Sequence, residues 1–293
     1  MILINDEIVD YTLFPNMEML VHTDFFKDLV DVEELKIEYT FDGNESLLHL
    51  YFILAHIQAL YCVPVELTIT YMPYSRMDRS QNGSCFTLAH VVKLITSVLK
   101  PTDSIEVIEP HSSETLKQFI YNGRSDAQMI SVIPYLAQEV MHKHPDINVV
   151  CYPDKGARLR YAKASFGKDI VYCDKKRDFD TGDIVGLTLV GIGEDPEKML
   201  SGATVLIVDD LCSRGGTFYH TANRLREAGA VAVFLAVCHM EQNVVTGELV
   251  KDTSPINHVY CTDTMAGSNN LVQDKISVLS WKGLLGLDRC IKS

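Results

Sequence analysis

ATVLIVDDLCSRGGT, residues 203–217, is the stretch of sequence that decides the fold. Residues 205–208 form a short apolar run, which is typical of a parallel strand covered on both faces. Asp209 and Asp210 follow at its carboxyl end, where open α/β sheets bind their ligands. The glycines that come next allow backbone N–H groups to surround an anion at the start of a helix. The stretch therefore predicts an α/β fold that places a phosphate in the loop and hydroxyl groups on the carboxylates.

This loop is not the ordinary nucleotide P-loop, because the chain contains no Gly-x-x-x-x-Gly-Lys-Ser/Thr pattern. It resembles the ribose 5-phosphate loop of the type I phosphoribosyltransferase superfamily. The resemblance implies that Asp209 and Asp210 bind the sugar hydroxyls, and that the 5-phosphate is bound by Ser213, Arg214, Gly215, Gly216 and Thr217. The loop alone does not separate transferases that consume phosphoribosyl pyrophosphate from the synthetase that makes it.

Four further segments favour the synthetase. Ribose-phosphate diphosphokinases have segments that resemble, in the same order along the chain, YMPYSRMDR (71–79), VIEPHS (107–112), YPDKG (152–156) and CDKKR (173–177). Each segment alone has an ordinary structural explanation, such as a solvated turn or an exposed basic loop. The resemblance implies catalytic Lys175 and Arg177, and an ATP site containing Phe41, Asp42, Asn44, Arg76, Asp78, Arg79 and His111.

The chemistry implied by this resemblance is transfer of the diphosphoryl group of ATP to the anomeric hydroxyl of ribose 5-phosphate. ATP is then a co-substrate and Mg²⁺ the cofactor, because the charge on the phosphates must be neutralised. The implied metal ligands are His111, Asp154, Asp209 and Asp210. In this family a neighbouring subunit supplies the loop that Phe41, Asp42 and Asn44 resemble, so the resemblance also implies a homo-oligomer whose active site spans subunits.

Three departures from the family pattern keep other functions open. Met77 replaces a Gln, Glu109 replaces an Asp, and Arg214 replaces a small Thr in the sugar-phosphate loop. A guanidinium at position 214 suits a phosphate that carries a further substituent, so a larger ribose 5-phosphodiester such as ADP-ribose is an alternative acceptor. The remaining alternatives are a phosphoribosyltransferase and a non-catalytic regulatory homologue.

Bulk properties agree with a cytoplasmic enzyme that acts on small molecules. A net charge of −13 argues against nucleic acid as a partner, since that binding depends on phosphate neutralisation. Neither an apolar run long enough to span a membrane nor a secretory leader is present in the sequence. The eight cysteines have no Cys-x-x-Cys spacing, so they are expected to be reduced thiols.

The 293 residues predict two similar phosphoribosyltransferase-like α/β domains, each a mostly parallel sheet flanked by helices. We expect an ATP-side domain over 1–144, and a domain over 145–293 that carries the sugar-phosphate loop and the catalytic arm, residues 173–177. A β-turn excursion is expected over 182–199, and the basic segment 173–177 that precedes it is expected to form a mobile lid. Strands are predicted over 65–71, 104–108, 147–151, 169–173, 205–208 and 231–237, and helices over 45–60, 86–99, 157–166 and 217–228.

Overall fold

The computed structural model describes residues 1–16, 18–22, 32–164, 166–177, 184–265, 267–271 and 274–287, and these residues form two compact units that divide between Ser131 and Val132. The predicted α/β class with two mostly parallel sheets flanked by helices is confirmed. The sequence placed the division later, between 144 and 145. Helix 133–143 belongs to the second unit because it packs against strands of that unit.

The first unit contains a six-stranded sheet in the order β2-β1-β5-β6-β7-β8, in which β5 to β8 are parallel. Strands β1 and β2 extend the edge in antiparallel fashion, and β3 and β4 form a separate hairpin. The elements are β1 Ile2–Ile4, β2 Glu7–Ile8, β3 Tyr11–Leu13, β4 Met19–Val21, β5 Leu35–Tyr39, α1 Asn44–Leu60, β6 Val65–Ile69, α2 Thr87–Thr96, β7 Ser104–Ile108, α3 Glu114–Tyr121 and β8 Gln128–Ile130.

The second unit contains a seven-stranded sheet in the order β11-β10-β9-β12-β13-β14-β15, which is parallel except for the edge strand β11. Its central strand β12 is the one predicted to carry the two carboxylates. The elements are α4 Ile133–Lys143, β9 Ile147–Tyr152, α5 Lys155–Arg160, β10 Asp169–Arg177, β11 Ile184–Gly191, α6 Pro196–Leu200, β12 Thr204–Cys212, α7 Gly216–Glu227, β13 Ala232–Met240, β14 His258–Thr262, β15 Ile276–Leu279 and α8 Trp281–Leu284.

Each sheet has its own apolar core. In the first unit β5 and β6 alternate buried with partly exposed residues, and the buried set packs with the inner faces of α1 and α2. In the second unit the first five residues of β12 are all buried, as expected for a strand with both faces covered. The two cores hold the carboxyl ends of the parallel strands in place, and these ends carry the predicted site residues. None of the helices in the described residues is long and apolar enough to cross a membrane.

Most predicted elements are present, and the differences have physical causes. The predicted strand 205–208 continues to Cys212 because β13 pairs with it as far as Met240. The predicted helix 157–166 instead covers Lys155–Arg160, where the Asp154 carboxylate accepts a hydrogen bond from the N–H of Ala157 and caps its first turn. The excursion expected over 182–199 contains β11 and α6, while residues 178–183 lie outside the described residues.

Asp103 joins three parts of the first unit and should be essential to its stability. Its buried carboxylate accepts hydrogen bonds from Lys100 N at 2.6 Å, Val65 N at 3.0 Å and Gln58 Nε2 at 2.7 Å. Asp103→Ala leaves these donors without their acceptor, so we expect a loss of about 3 kcal/mol in the free energy of unfolding. Urea denaturation would measure it, with exposed Lys117→Ala as the control. Equal midpoints for the two variants would contradict this role.

Candidate functional site

The two predicted sugar-binding carboxylates lie at the carboxyl end of β12. Asp209 pairs in register with Val237 of β13, so the strand continues through both aspartates and ends at Cys212. The backbone N–H of Asp210 donates a 2.9 Å hydrogen bond to Oδ1 of Asp209, which fixes the orientation of that carboxylate. Asp210 is buried, with 3% of the residue exposed. The geometry therefore holds both acids rigidly beside the loop that follows.

That loop is short and leads directly into a helix. Gly215 has φ +83°, a left-handed conformation that suits glycine, and α7 begins at the next residue. The first-turn N–H groups of α7, which include those of Gly216 and Thr217, have no carbonyl partner within the helix. Because Gly215 has no side-chain oxygen, it does not cap these donors. The loop therefore has the features of an anion-binding helix start.

Arg160 neutralises the paired aspartates, and sequence reasoning missed it. Its guanidinium forms an ion pair with Asp210 and lies 3.5 Å from Oδ1 of Asp209. Burial lowers the pKa of Arg160, but the charges of Asp210, Tyr161 and Asp209 outweigh that effect and raise it. No local sequence signal identifies Arg160, because its role depends on where helix α5 lies in the folded unit. Helix α5 follows β9, which is the neighbour of β12 in the sheet.

The carboxyl group of Asp209 lies among several other charged groups. Burial and the charge of Asp210 raise the pKa of Asp209 well above its ordinary value, the charge of Arg160 lowers it, and Asp154 raises it further. The influence of Asp154 indicates that this third predicted acid lies near the pair. Its carboxylate also accepts a 2.9 Å hydrogen bond from Ala157 N, so Asp154 has a structural task as a helix cap.

The acids at this strand end suit a hard cation. Carboxylate oxygens are ligands that Mg²⁺ accepts, usually together with water and phosphate oxygens. Within the described residues no three His, Cys, Asp or Glu side chains form a group that could hold a metal by themselves. Asp209 and Asp210 therefore fit a Mg²⁺ whose remaining ligands come from water and substrate.

In the first unit the predicted ATP residues of the 71–79 segment lie in a strained loop after β6. Tyr74 has φ +59°, an uncommon conformation for a residue with a side chain. Arg79 Nε donates to Oδ1 of the buried Asp78 at 2.8 Å. Although burial raises the pKa of Asp78, hydrogen bonds from Arg79 and Ser112 and the charge of His111 hold it below the ordinary value. The structure thus brings the 71–79 and 107–112 segments together, as their places after adjacent parallel strands predict.

The residues predicted to contact adenine also lie beside this loop in the same chain. The Tyr74 hydroxyl donates to Oδ1 of Asn44 at 2.6 Å, and the rings of Phe41 and Tyr71 are 6.2 Å apart. The N–H of Asp42 donates to the hydroxyl of Ser46, which fixes the turn into α1. These contacts with Tyr71 and Tyr74 were not predicted, because they join two segments that are distant in sequence.

A second strained residue lies after β7. Glu109, which replaces the family Asp, has φ +41° and is buried. Its carboxylate accepts hydrogen bonds from the hydroxyl of Ser131 at 3.0 and 3.2 Å. His111 follows two residues later and is partly exposed. Backbone strain of this kind is concentrated at functional loops, and here it occurs in two of the three segments that carry the predicted ATP residues.

The predicted catalytic residues Lys175 and Arg177 belong to β10, which pairs with the edge strand β11. The register is irregular between Lys176 and Arg177. The side chains of residues 175–177 lie outside the described residues, so their roles stay predictions. The preceding residue, Asp174, forms a 2.7 Å ion pair with Lys155, which connects β10 to the start of α5 beside Asp154.

Comparisons with known proteins agree with the sequence resemblance. The ribose-phosphate pyrophosphokinase of Sulfolobus acidocaldarius is 25% identical over 277 residues, which cover 88% of this chain and 90% of the relative. That of Pyrococcus furiosus is 31% identical over 179 residues, 60% of this chain and 58% of the relative. The solved phosphoribosylpyrophosphate synthetase of Mycobacterium smegmatis superposes with a TM-score of 0.73 at 19% identity, covering 95% of this chain and 87% of its own, which is a likeness in fold. No family model matches the chain.

Arg160 should stabilise the second unit by compensating the buried aspartates. Arg160→Ala leaves Asp210 buried without its ion-pair partner, and we expect the free energy of unfolding to fall by about 2–4 kcal/mol. Arg160→Lys should recover part of the loss because the charge is retained. Thermal unfolding would compare both with exposed Lys163→Ala. An Arg160→Ala midpoint equal to that control would show that the ion pair does not stabilise the fold.

Proposed function

We propose that this chain, which is similar over most of its length to a ribose-phosphate pyrophosphokinase, transfers the diphosphoryl group of Mg-ATP to the anomeric hydroxyl of ribose 5-phosphate. The products are phosphoribosyl pyrophosphate and AMP. One observation carries the proposal beyond the family name. Two rigidly held carboxylates at the end of β12 are followed by the left-handed Gly215 and the N-terminus of α7, an arrangement that suits a sugar diol and a phosphate.

The sugar-phosphate half of the proposed site lies entirely in the second unit. Asp209 and Asp210 accept hydrogen bonds from the 2- and 3-hydroxyls of the ribose. The 5-phosphate is bound by the loop with its backbone N–H groups and side-chain hydroxyls, which are supplied by Ser213, Arg214, Gly215, Gly216 and Thr217. Arg160 remains paired with the aspartates while they bind the sugar, since each carboxylate has several acceptor sites.

The ATP half of the proposed site uses residues of the first unit. Arg76 contacts the ATP phosphates. The adenine is contacted by Phe41, Asp42 and Asn44. Asp78 and Arg79 shape the loop that carries Arg76. The contacts of Asn44 with Tyr74 and of Phe41 with Tyr71 support this grouping. His111 lies near Asp78, consistent with its proposed place beside the phosphates.

Mg²⁺ is the proposed cofactor, and the residues proposed to hold it are His111 on the ATP side and Asp154, Asp209 and Asp210 on the sugar side. When bound, the metal supplies positive charge to the phosphate oxygens. The protein contributes acids that are already oriented by the Asp210 N–H, the Ala157 N–H and the Arg160 guanidinium.

Lys175 and Arg177 are the proposed catalytic residues. The anomeric oxygen attacks the β-phosphorus and forms a bond to it. The bond between the β-phosphorus and the oxygen that bridges it to the α-phosphate breaks at the same time, and AMP leaves with that oxygen. Negative charge grows on the bridging and terminal oxygens during this step, and fixed cations lower its energy. The family resemblance assigns the two cations to Lys175 and Arg177, which belong to the last residues of β10.

The assembly is proposed to be a cytoplasmic homo-oligomer that has neither nucleic acid nor a membrane as a partner. Large apolar side chains on α1, such as Leu48 and Phe52, are each 49% exposed, which favours their burial against another subunit. None of the seven cysteines in the described residues forms a disulfide bond. As the family resemblance implies, the active site of this homo-oligomer is proposed to span subunits.

The alternative functions differ in their support. ADP-ribose as the acceptor has no support in the comparisons, because the relatives reported above are ribose-phosphate pyrophosphokinases. A phosphoribosyltransferase would have no reason to carry the 71–79 and 173–177 segments. A non-catalytic regulatory homologue would not require both the paired aspartates and the basic residues of β10.

The experiment that tests the proposal is AMP release from Mg-ATP, with ribose 5-phosphate or ADP-ribose as the acceptor and mass spectrometry of the products. We expect AMP and a product two phosphates heavier than ribose 5-phosphate. A product formed from ADP-ribose alone would reassign the acceptor. The absence of AMP with either acceptor would favour the regulatory homologue.

Lys175 should act mainly on the transition state. Lys175→Ala is expected to leave the Kd for ribose 5-phosphate within about twofold of the original, and to lower the rate of AMP formation by about a thousandfold. Calorimetry and the AMP assay would provide the two values. The exposed Lys198→Ala, on α6, is the matched control and should retain its rate. An unchanged rate for Lys175→Ala would remove it from the catalytic group.

A further inference from the structure

The sugar-phosphate loop is held by a segment that the proposed function does not otherwise use. Strand β13 ends beside β12, and the N–H of the next residue, Glu241, donates to the carbonyl of Cys212 at 2.9 Å. A short 3-10 helix, Gln242–Thr246, then carries the chain along the loop. We call residues 241–249 the brace segment.

Backbone packing between the brace segment and the loop is close at two points. A Cβ added to Gly215 would collide with the side chain of Leu249, and a Cβ added to Gly247 would collide with the carbonyl of Arg214. Both glycines are therefore required by proximity, and Gly215 also by its positive φ. The loop cannot shift toward the brace segment without a steric clash, so the brace segment fixes its position.

Asn243 adds a polar contact to this packing. Its Nδ2 donates to Oγ of Ser213 at 3.0 Å and to Oε2 of Glu241 at 3.1 Å. The carbonyl of Asn243 in turn accepts a 2.8 Å hydrogen bond from the hydroxyl of Thr246, which fixes its own backbone. Glu241, Asn243 and Ser213 thus form a chain of hydrogen bonds that ends at the sugar-phosphate loop.

The chemistry of the three groups fixes the direction of this chain. A carboxylate only accepts hydrogen bonds, so the amide nitrogen of Asn243 must face Glu241, and its second hydrogen is directed to Ser213. The Ser213 oxygen then acts as an acceptor. The alternative bond, from the Ser213 hydroxyl to Oδ1 of Asn243, is longer at 3.4 Å. The hydroxyl hydrogen of Ser213 is therefore available for an anion in the loop.

We propose that Asn243 is a positioning residue for the sugar phosphate, which orients the Ser213 hydroxyl as a donor to the 5-phosphate. This inference rests on the proposed function and adds a residue outside the loop to it. Glu241 acts one step further away by orienting the amide. The brace segment as a whole holds the loop in the position from which the Ser213 hydroxyl donates to the 5-phosphate.

Two substitutions separate orientation from simple loss of contact. Asn243→Ala removes the donor but leaves Ser213 free to rotate toward the phosphate, so the Kd for ribose 5-phosphate should rise about tenfold. Asn243→Asp has the same size as the original residue, but it presents an acceptor to Ser213. It diverts the hydroxyl hydrogen from the phosphate and places a negative charge beside Glu241. Its Kd should rise about a hundredfold.

The test is calorimetric titration of the full chain with ribose 5-phosphate for the original protein, both variants and a control. The control is Lys251→Ala, a change just beyond the brace segment that removes an exposed ion pair with Glu248. We expect an unchanged Kd for the control. In the AMP assay, we expect the KM for ATP to stay within about twofold of the original in every variant. Equal ribose 5-phosphate affinities for Asn243→Asp and the original protein would overturn the inference. Absence of binding by the original protein would instead overturn the proposed function, and the inference with it.

A double-mutant cycle provides the second measurement, and it does not depend on Asn243→Asp folding well. If Asn243 acts through the Ser213 hydroxyl, Ser213→Ala and Ser213→Ala with Asn243→Ala should bind ribose 5-phosphate equally weakly. Fully additive effects would show that Asn243 acts on the phosphate by another route, and would overturn the proposed relay.

Discussion

Compensation of two adjacent acids, Asp209 and Asp210, is the constraint on which the second unit depends. Both lie at the end of a strand whose preceding residues are completely covered, and Asp210 is buried. Buried carboxylates are costly unless they are paired and hydrogen-bonded. Arg160 supplies the charge and the Asp210 N–H supplies a donor, so α5 must end close to β12. That requirement in turn explains the short, sharply capped form of α5.

The proposed binding loops share a second property, which is backbone held in uncommon conformations by neighbouring elements. Gly215 is left-handed at the start of α7, and Tyr74 and Glu109 have positive φ in the first unit. Such conformations persist only where surrounding contacts hold them. Leu249 packs against Gly215, Asn44 accepts from Tyr74, and Ser131 donates to Glu109. The cost of these conformations is met by contacts formed elsewhere, which keep the loops ready for ligand.

Local sequence patterns predict many of the inner strands of both sheets, because parallel strands covered on both faces leave clear apolar runs. The strand at 205–208, the glycine-bearing loop and helix α7 follow from residues that are neighbours in sequence. The extension of β12 to Cys212 depends on pairing with β13, and the edge strand β11 on pairing with β10. The strands before residue 22 were also missed, since they are very short and partly exposed.

The candidate site was predictable only where its residues belong to local sequence motifs. Motif residues could be assigned because their family resemblance is local, and the structure places Asp154 near Asp209 and His111 near Asp78. Arg160 and Asn243 could not be assigned, because their importance comes from contacts across the sheet with residues at 209, 210 and 213. Side-chain charge and hydrogen-bond direction at these positions are tertiary properties, which a single sequence does not contain.

The most direct test of this account is a crystal structure of the protein with ribose 5-phosphate bound. The account predicts the phosphate at the start of α7, accepting hydrogen bonds from the backbone of residues 213–217 and from Ser213, with the ribose hydroxyls on Asp209 and Asp210. A sugar phosphate bound elsewhere on the chain, with Asp209 and Asp210 contacting only Arg160, would contradict it.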